Sequence, residues 1–341
     1  MYRKEAKKEM QICKGAIPVW IMPIQKVIEN INLTDDLFDV IIVDESSQSN
    51  IFALSALLRA KKAVIVGDDN QISPESIGIN VGEIHQLIQR YLAGVVPHAS
   101  RFELTTSLYD IANQIFESKI VLKEHFRSVP EIIQFSNDFM YQGKIVPLRL
   151  PLSNEVFEPP VSAIFVEEGF VEEHTTKLVN KPEAEAIVAH IVRLCSDPKY
   201  KGKTMGVISL QGDNQAELIE ELLREAIGEK EMIERKLICG DAYFFQGDER
   251  DIILLSMVTA PNVRFRALTK RSDYQRFNVA ASRAKDQMFL FHSVQLNDIN
   301  NPECARYRLL KYCQEPYRVQ QKIDEVRHLF ESKFEDDVYR I

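Results

Sequence analysis

The chain has 341 residues, of which 45% are apolar and 27% are charged, and it contains 13 glycines and 14 prolines. This composition is that of a globular protein of about two domains, and it excludes a collagen, a low-complexity chain and a disordered chain. The formal net charge is −8. Binding of nucleic acid would therefore require a local basic or stacking surface, because the net charge repels phosphate.

The cysteines and the hydropathy pattern indicate where the protein works. The five cysteines form no C-x-x-C pair, which argues against a disulfide framework and a structural zinc site. The polar N-terminus precedes no signal-peptide core, and no apolar run approaches the roughly 20 residues that span a bilayer. We therefore expect a soluble protein of a reducing compartment, the cytoplasm.

The first recognisable pattern is a strand, a helix and a second strand. Apolar runs at 38–43 and 63–67 predict buried strands, and acidic residues follow each of them. Between the runs, the spacing of Ile51, Leu54 and Leu58 predicts a helix with one apolar face. This order predicts a βαβ unit with a parallel sheet.

A second α/β domain follows, and the join between the two is predicted near residues 115–122. No linker rich in proline, glycine or serine marks that join. The predicted strands of the second domain lie at 163–166, 204–210, 251–258 and 288–292, with helical patterns at 182–195 and 214–227.

Both ends of the sequence are expected to be cut from a longer protein. The first predicted sheet begins at what reads as a middle strand. Residues 328–341 form an amphipathic helical pattern with Leu329, Phe330, Phe334 and Val338 on one side.

Two adjacent carboxylates, Asp44 and Glu45, directly follow the first predicted strand. In open α/β sheets, ligands bind beyond the carboxyl ends of the strands. A carboxylate pair at that place suits a nucleotide hydrolase, in which one holds Mg²⁺ and the other orients the attacking water. A helix cap made by Asp44 would give the same local sequence, so both interpretations stay open.

The next predicted strand ends in the sequence GDDNQISP. Gly67 permits a tight turn, and the amide of Gln71 can contact both a phosphate and a water. An ordinary polar turn made by Asp68 and Asn70 is the alternative. Because the two loops end adjacent parallel strands, we expect them to converge on one crevice.

Three arginines stand at predicted helices in the second domain. Arg127 precedes a helix start at which Ser128 and Glu131 have capping-box spacing, so we expect it to be held at a defined corner. Arg276 and Arg283 are predicted to share one face of a helix over 276–285. A solvated helix charge is the alternative for either of these two arginines.

Five segments together, in this order, resemble helicase motifs II to VI of superfamily 1. The DESSQ and NVAASRAK sequences are similar in particular to superfamily 1B helicases related to the RNA-surveillance helicases and the replication helicase-nucleases. The segments are DESSQ (44–48), GDDNQISP (67–74), LKEHFRSVPEIIQFSNDFMY (122–141), FQGDERDIILLS (245–256) and RFNVAASRAK (276–285).

The resemblance implies an α/β protein built from P-loop NTPase (RecA-like) folds, with parallel sheets flanked by helices. Residues 1–118 would be the C-terminal part of a first lobe with motifs II and III, and 119–322 a complete second lobe with motifs IV, V and VI. Residues 323–341 would be a linker and the start of a nuclease domain. The sequence at 330–341 resembles the opening helix of a very-short-patch-repair-like endonuclease, and a plain amphipathic helix is the alternative.

The resemblance also implies ATP and Mg²⁺ as cofactors and assigns roles. Asp44 would hold Mg²⁺, Glu45 would be the catalytic base, and Gln71 would sense the γ-phosphate. Arg127 and Arg283 would be arginine fingers from the second lobe. The other residues implied to bind ATP are Gly67, Asp68, Gln246, Gly247 and Glu249, the last of them at the ribose.

One motif of the family is missing, because the sequence contains no G-x-x-x-x-G-K-[ST]. The nearest sequence, KGKT at 201–204, precedes a predicted strand where a phosphate-binding loop follows one, so we interpret it as a surface turn. In the family this loop lies N-terminal to the DESSQ strand, and we expect it upstream of Met1.

Two segments are candidates for contact with nucleic acid. Trp20 and Pro23 lie in a segment, 18–27, that resembles the one running along the nucleic acid in this family, although Trp20 also suits a core. Basic residues interleaved with Phe265 and Tyr274 suit a nucleic-acid strand or, equally, an exposed loop. They are Arg264, Arg266, Lys270 and Arg271.

The leading hypothesis is an ATP-dependent helicase or translocase with 5′-to-3′ polarity, acting on DNA rather than RNA. The alternative is a non-catalytic helicase-like module that binds nucleic acid or protein. A reading in which nuclease chemistry dominates would need acidic metal ligands downstream of Ile341.

Overall fold

The computed structural model describes residues 5, 9–10, 12–13, 15–33, 37–73, 81–96, 99, 106–149, 156–172 and 178–316. The chain divides into two compact units, Met1–Ile120 and Val121–Ile341. No helix of the described ranges is both long and apolar enough to cross a membrane.

The first unit contains a two-stranded parallel sheet. Strand β1 (Phe38–Val43) pairs with β2 (Ala60–Ile65), and Val43 lies opposite Ile65. The described helices of this unit are α1 (Ile24–Asn30), α2 (Leu54–Leu57), α3 (Val81–Tyr91) and α4 (Leu108–Ile115), with 3-10 turns at Ser46–Gln48 and Ile51–Ala53.

The predicted βαβ unit is confirmed, but its helix is shorter than predicted. Helix α2 has four residues, and Leu58 lies just beyond it with 63% of its surface exposed. Strand β1 also differs from the buried strand that we predicted. Its residues alternate between two faces, so Val43 packs with Ala53 and Leu108 whereas Ile42 is 67% exposed in the described structure.

The second unit contains a parallel sheet of five strands in the order β5-β9-β8-β6-β7. All residues of β6 and most of β8 and β9 are buried, as expected for strands covered on both faces. The strands are β5 (Val161–Phe165), β6 (Met205–Ser209), β7 (Ile238–Asp241), β8 (Arg250–Ser256) and β9 (Ala284–His292). A smaller parallel pair joins β3 (Glu124–His125) to β4 (Val146–Pro147).

The helices of the second unit carry the core and the candidate site. Together with the sheet, α6 and α7 enclose a core that includes Ile187, Leu223 and Leu254. The helices are α5 (Pro130–Phe139), α6 (Lys181–Ser196), α7 (Asn214–Glu234), α8 (Arg271–Ala281) and α9 (Ala305–Gln314). The four strands and two helical patterns predicted for this domain are confirmed, and β7 is an addition to them.

The KGKT sequence is a turn, as predicted. Residues 201–202 form a turn that follows the 3-10 helix Pro198–Tyr200 and precedes β6. Gly202 has a φ of +74°, a left-handed conformation that glycine adopts without steric cost.

Candidate functional site

The two predicted carboxylates lie at the carboxyl end of β1. Asp44 is exposed, and its Oδ1 accepts a hydrogen bond from the amide of Glu45 at 2.9 Å. Glu45 has a left-handed backbone with a φ of +50°, and its Oε2 accepts from Nε2 of Gln48 at 3.1 Å. The helix-cap alternative for Asp44 is wrong, because no side chain caps the following turn. A strained backbone at a candidate base is typical of functional sites.

Two buried serines join the loop after β1 to the loop after β2. Ser46 donates from both its amide and its hydroxyl to the carbonyl of Val66, at 2.9 and 2.6 Å. The hydroxyl of Ser47 accepts from the amide of Asp68 at 2.6 Å. The two loops therefore converge at the carboxyl edge of the sheet, as predicted. Sequence reasoning named neither serine, although both belong to the DESSQ segment.

Gly67 is needed for close packing rather than for the tight turn that we predicted. A Cβ atom at this position would lie 2.6 Å from Oγ of Ser47, 2.7 Å from Oγ of Ser46 and 2.7 Å from the ring of Tyr109. No side chain fits there without a shift of its neighbours.

The polar turn that we held as an alternative at Asp68 is present. Oδ1 of Asp68 accepts from the amide of Asn70 at 2.9 Å, and Oδ2 accepts from Nε2 of Gln71 at 3.2 Å. The predicted contact of Gln71 with a phosphate stays a prediction. Lys119, which sequence reasoning missed, has a raised pKa because it interacts with Tyr109 and with the charges of Asp69 and Asp68.

In the second unit, Glu249 lies between two basic side chains. Its Oε2 is 2.6 Å from Nε of Arg127, and its Oε1 is 2.5 Å from Nζ of Lys285. Burial alone would raise the pKa of Glu249, but the hydrogen bond from Lys285 and the charges of both partners hold it below its ordinary value. Sequence reasoning missed Lys285, although it is the last residue of the RFNVAASRAK segment.

The backbone at Arg127 is held from two sides. Nη1 of Arg149 donates to the carbonyl of Arg127 at 2.6 Å, and the amide of Ser128 donates to Nε2 of His125 at 3.0 Å. The predicted capping box of Ser128 and Glu131 is wrong, because Val129 is the N-cap and no side chain caps helix α5. The helix therefore starts without a side-chain cap, and Pro130 occupies its first turn.

The charges of three arginines act on His125. Burial lowers the pKa of this histidine to about 4, and the charges of Arg127, Arg149 and Arg283 contribute further. The ring is therefore neutral at pH 7, which agrees with the acceptor role of its Nε2. Two of the three guanidinium groups are paired with carboxylates, Arg127 with Glu249 and Arg149 with Asp286.

Arg283 does not lie on a helix. Helix α8 ends at Ala281, and Arg283 occupies the turn before β9 with 2% of its surface exposed. Its Nε donates to the carbonyl of Val279 at 3.0 Å, and Nη1 donates to that of Asp248 at 3.3 Å. The predicted shared helix face with Arg276 is therefore wrong, and so is the solvated-charge alternative for Arg283.

Gln246 and Gly247 form the turn that leads to Glu249. The amide of Gln246 donates to the carbonyl of Tyr243 at 3.1 Å, and Gly247 has a φ of +81°. The fully buried ring of Phe245 anchors the turn. It packs directly against Gly206, because a Cβ atom at that position would lie 2.7 Å from the ring. The roles of Gln246 and Gly247 in binding ATP stay predictions.

The predicted nucleic-acid residues are placed as follows. Trp20 is half-buried, its Nε1 donates to the carbonyl of Ile17 at 2.7 Å, and its ring meets Phe38 edge-on at 6.3 Å. Pro23 is exposed and precedes α1. All four of the predicted basic residues are exposed, namely Arg264, Arg266, Lys270 and Arg271.

Metal ligands are sparse in the part of the chain that the structure describes. No group of three or more histidine, cysteine, aspartate or glutamate side chains there could hold a metal ion. Mg²⁺ in nucleotide sites commonly takes one or two carboxylates together with phosphate oxygens and waters, so a single exposed carboxylate such as Asp44 fits that use.

A profile of a protein family described as an AAA domain matches residues 104–295, more than half of the chain. The chain belongs to this family. Several of its relatives carry the names of ATP-dependent helicases, which confirms the resemblance to superfamily 1B and the RecA-like α/β fold. The resemblance of 330–341 to a nuclease helix lies outside the described residues.

Three curated relatives of this AAA-domain chain illustrate the similarity. An uncharacterized ATP-dependent helicase, MG140 of Mycoplasma genitalium, is 27% identical over 86% of the chain. The DNA replication ATP-dependent helicase/nuclease dna2 of Schizosaccharomyces pombe is 26% identical over 80%, and the regulator of nonsense transcripts 1 homolog of Drosophila melanogaster is 27% identical over 73%. The chain spans 26% of the length of the first protein and 20% of each of the other two.

Proposed function

We propose that this AAA-domain chain carries part of the machinery of an ATP-driven superfamily 1B helicase or translocase. The observation that carries the proposal is the gathering of basic side chains at residues 248–249, which suits the phosphates of a nucleotide. Arg127 and Lys285 both contact the carboxylate of Glu249, and Nη1 of Arg283 donates to the carbonyl of Asp248. The names of the Mycoplasma genitalium and Schizosaccharomyces pombe relatives support it, because both contain the words ATP-dependent helicase.

In this proposal the first unit supplies the carboxylates. Asp44 holds the Mg²⁺ that accompanies ATP, and Glu45 accepts the proton of the attacking water. The bound Mg²⁺ neutralises charge on the phosphates. The hydrogen bond from Gln48 to Glu45 orients the carboxylate without protonating it.

The second unit supplies the positive charge. Arg127 and Arg283 stabilise negative charge on the transferring phosphoryl group, and Glu249 binds the ribose. The carbonyls of Val279 and Asp248 hold the guanidinium of Arg283 in one orientation. A fixed group of this kind needs little rearrangement during the reaction, which is the property that electrostatic catalysis requires.

The nucleic acid is proposed to bind to the exposed basic residues between β8 and α8. DNA is proposed as the preferred substrate over RNA. Two kinds of relative support opposite choices, because one is named for DNA replication and another for nonsense transcripts. Competition between dT20 and U20 oligonucleotides of equal length would decide. Tighter binding of U20 would show that RNA is preferred to DNA.

The proposed location is the cytoplasm. All five cysteines are free, which supports this location.

The test of the hydrolytic role is Glu45→Gln in the complete product of the gene. The amide keeps the shape of the side chain but cannot accept the proton, so turnover should fall by a factor of about 10² or more while ATP still binds. Glu29→Gln, which breaks an exposed ion pair with Lys26, is the matched control. An unchanged kcat for Glu45→Gln would remove Glu45 from the reaction.

A further inference from the structure

The basic segment between β8 and α8, residues 262–271, is hydrogen-bonded to the start of helix α9. The amide of Ala305 donates to the carbonyl of Leu268 at 2.9 Å, and the amide of Leu268 donates to Sγ of Cys304 at 3.3 Å. The hydroxyl of Tyr274, in α8, donates to the carbonyl of Glu303 at 2.7 Å.

Arg306 makes the central contacts of this arrangement. It is 2% exposed, and its Nη1 donates to the carbonyl of Arg266 at 3.2 Å. Its guanidinium lies over the ring of Phe265, with Cζ 5.4 Å from the ring centroid. Its Nη2 bonds Oε1 of Gln211, which also accepts from the hydroxyl of Thr259 at 3.1 Å.

A buried arginine in this position carries a cost that needs a reason. Burial lowers the pKa of Arg306 to about 10, and its Nε has no hydrogen-bond partner among the described residues. An aliphatic side chain would fill the space without either penalty. What the guanidinium adds is a fork of donors that joins two loops at once, the one after β6 through Gln211 and the basic segment through Arg266.

We propose that Arg306 is a positioning residue that fixes segment 262–271 in the shape in which it presents its exposed basic side chains to a single strand of nucleic acid. The inference rests on the proposed function, because it assigns the strand to this segment. Arg306 is buried and touches no phosphate. It acts by restricting the conformations of the segment, which lowers the entropy lost when the strand binds.

The experiment is strand binding by the 341-residue chain, measured by anisotropy of a labelled dT20 over a range of salt concentrations. We expect Arg306→Gln to weaken binding about ten-fold and to flatten the slope of log K against log salt, because fewer phosphates are neutralised together. Lys311→Gln is the matched control. Lys311 lies on the same helix with an exposed side chain, so this variant should bind as the original chain does.

A double-mutant cycle distinguishes positioning of the segment by Arg306 from a general structural role of this residue. Neutral glutamines replace Arg264, Arg266, Lys270 and Arg271, and Arg306→Gln is then added. If Arg306 acts through the segment, the second change has no further effect on binding. Full additivity of the two losses would overturn the proposal.

Trypsin provides a second readout, because it cleaves after the basic residues of the segment. Arg306→Gln should speed cleavage within 262–271 several-fold while other sites keep their rates. If Arg306→Gln does not fold, Gln211→Leu removes one of the acceptors of the guanidinium and is expected to give the same two effects in weaker form. Unchanged strand binding and cleavage in a folded variant would overturn the proposal.

Failure of the proposed strand-binding function would give a different result from failure of the positioning role of Arg306. If the glutamine replacements at the four basic positions leave strand binding unchanged, the segment does not bind the strand and the assignment of the strand is wrong. If those replacements weaken binding but Arg306→Gln does not, only the positioning role of Arg306 fails.

Discussion

Arg127 and Glu249 form an ion pair, with Nε of the arginine 2.6 Å from Oε2 of the glutamate. The resemblance gives these residues different targets, the phosphates and the ribose of ATP. In the structure each holds the other, and Lys285 shares the carboxylate. The pair therefore holds the side chain of Arg127 at Glu249, and a phosphate has to compete with Glu249 for it.

The change Glu249→Gln tests this competition. The variant loses a ribose acceptor and leaves Arg127 and Lys285 with less negative charge beside them. We expect its affinity for ATP to fall about ten-fold relative to its affinity for inorganic tripolyphosphate, since only ATP has the ribose. Competition binding to the complete gene product measures both affinities. Equal changes for the two ligands would show that Glu249 does not contact the ribose.

The substitution of Arg127 or Arg283 by lysine tests the two fingers. Lysine keeps the charge but loses the planar fork, so kcat should fall about 10³-fold with a much smaller change in strand affinity. Arg224→Lys, at an exposed ion pair with Glu220, is the control and should be silent. Steady-state ATPase assays of the complete gene product provide kcat. Loss of strand binding with unchanged kcat would place both arginines on the nucleic-acid path instead.

Because Arg283 is buried, its variant also needs a measurement of stability. Lysine cannot reach both the carbonyl of Val279 and that of Asp248, so we expect Arg283→Lys to lower the free energy of unfolding by about 1–3 kcal/mol. Urea unfolding separates this loss from the loss of turnover. A folded variant with normal stability and normal kcat would contradict the assignment.

The change Gly67→Ala tests the packing that joins the two loops of the first unit. Its Cβ would meet both serine hydroxyls and the ring of Tyr109, and we expect a loss of about 1–3 kcal/mol in the free energy of unfolding. Gly15→Ala is the control, because nothing lies within 4 Å of a Cβ there and its φ is not left-handed. Urea unfolding of the 341-residue chain compares the two. An equal free energy of unfolding for both variants would show that the two loops accommodate the extra Cβ without loss of stability.

Sequence reasoning predicted the elements of the fold whose apolar residues form a long, unbroken run. The runs of β6, β8 and β9 are buried on both faces, so their apolar character is continuous and easy to recognise. Strand β7 was missed because its four residues include a glycine and an aspartate, which are unfavourable in strands.

The candidate site shows the opposite limit. The residue types of motifs II to VI indicated which side chains matter, but not which of them touch. The ion pair of Glu249 with Lys285 joins residues 36 positions apart, and its geometry depends on the pairing of β8 with β9. The position of Arg283 was mispredicted because the apolar helical period of α8 continues smoothly into the buried strand β9.

The last prediction concerns a buried carboxylate that the sequence did not single out. Glu183, on α6, is fully buried, and Oε1 accepts from the hydroxyl of Ser256 at 2.6 Å and from the amide of Val258 at 2.8 Å. Burial raises the pKa of Glu183 from 4.5 to about 7, although these hydrogen bonds and one from Ser293 oppose the rise. The folded chain therefore binds this proton more tightly than the unfolded chain does.

A raised pKa of an acid stabilises the folded state most fully below pH 4.5, and that contribution disappears as the pH rises through 7. Glu183→Gln cannot titrate, so the free energy of unfolding of the original chain minus that of the variant should fall by about 3 kcal/mol between pH 4.5 and 7. The histidines with lowered pKa values titrate in both proteins, so their effects cancel. Glu185→Gln, at an exposed position of the same helix, should show no such trend. Urea unfolding at several pH values measures the differences, and a difference that is constant with pH would show that Glu183 keeps one protonation state throughout.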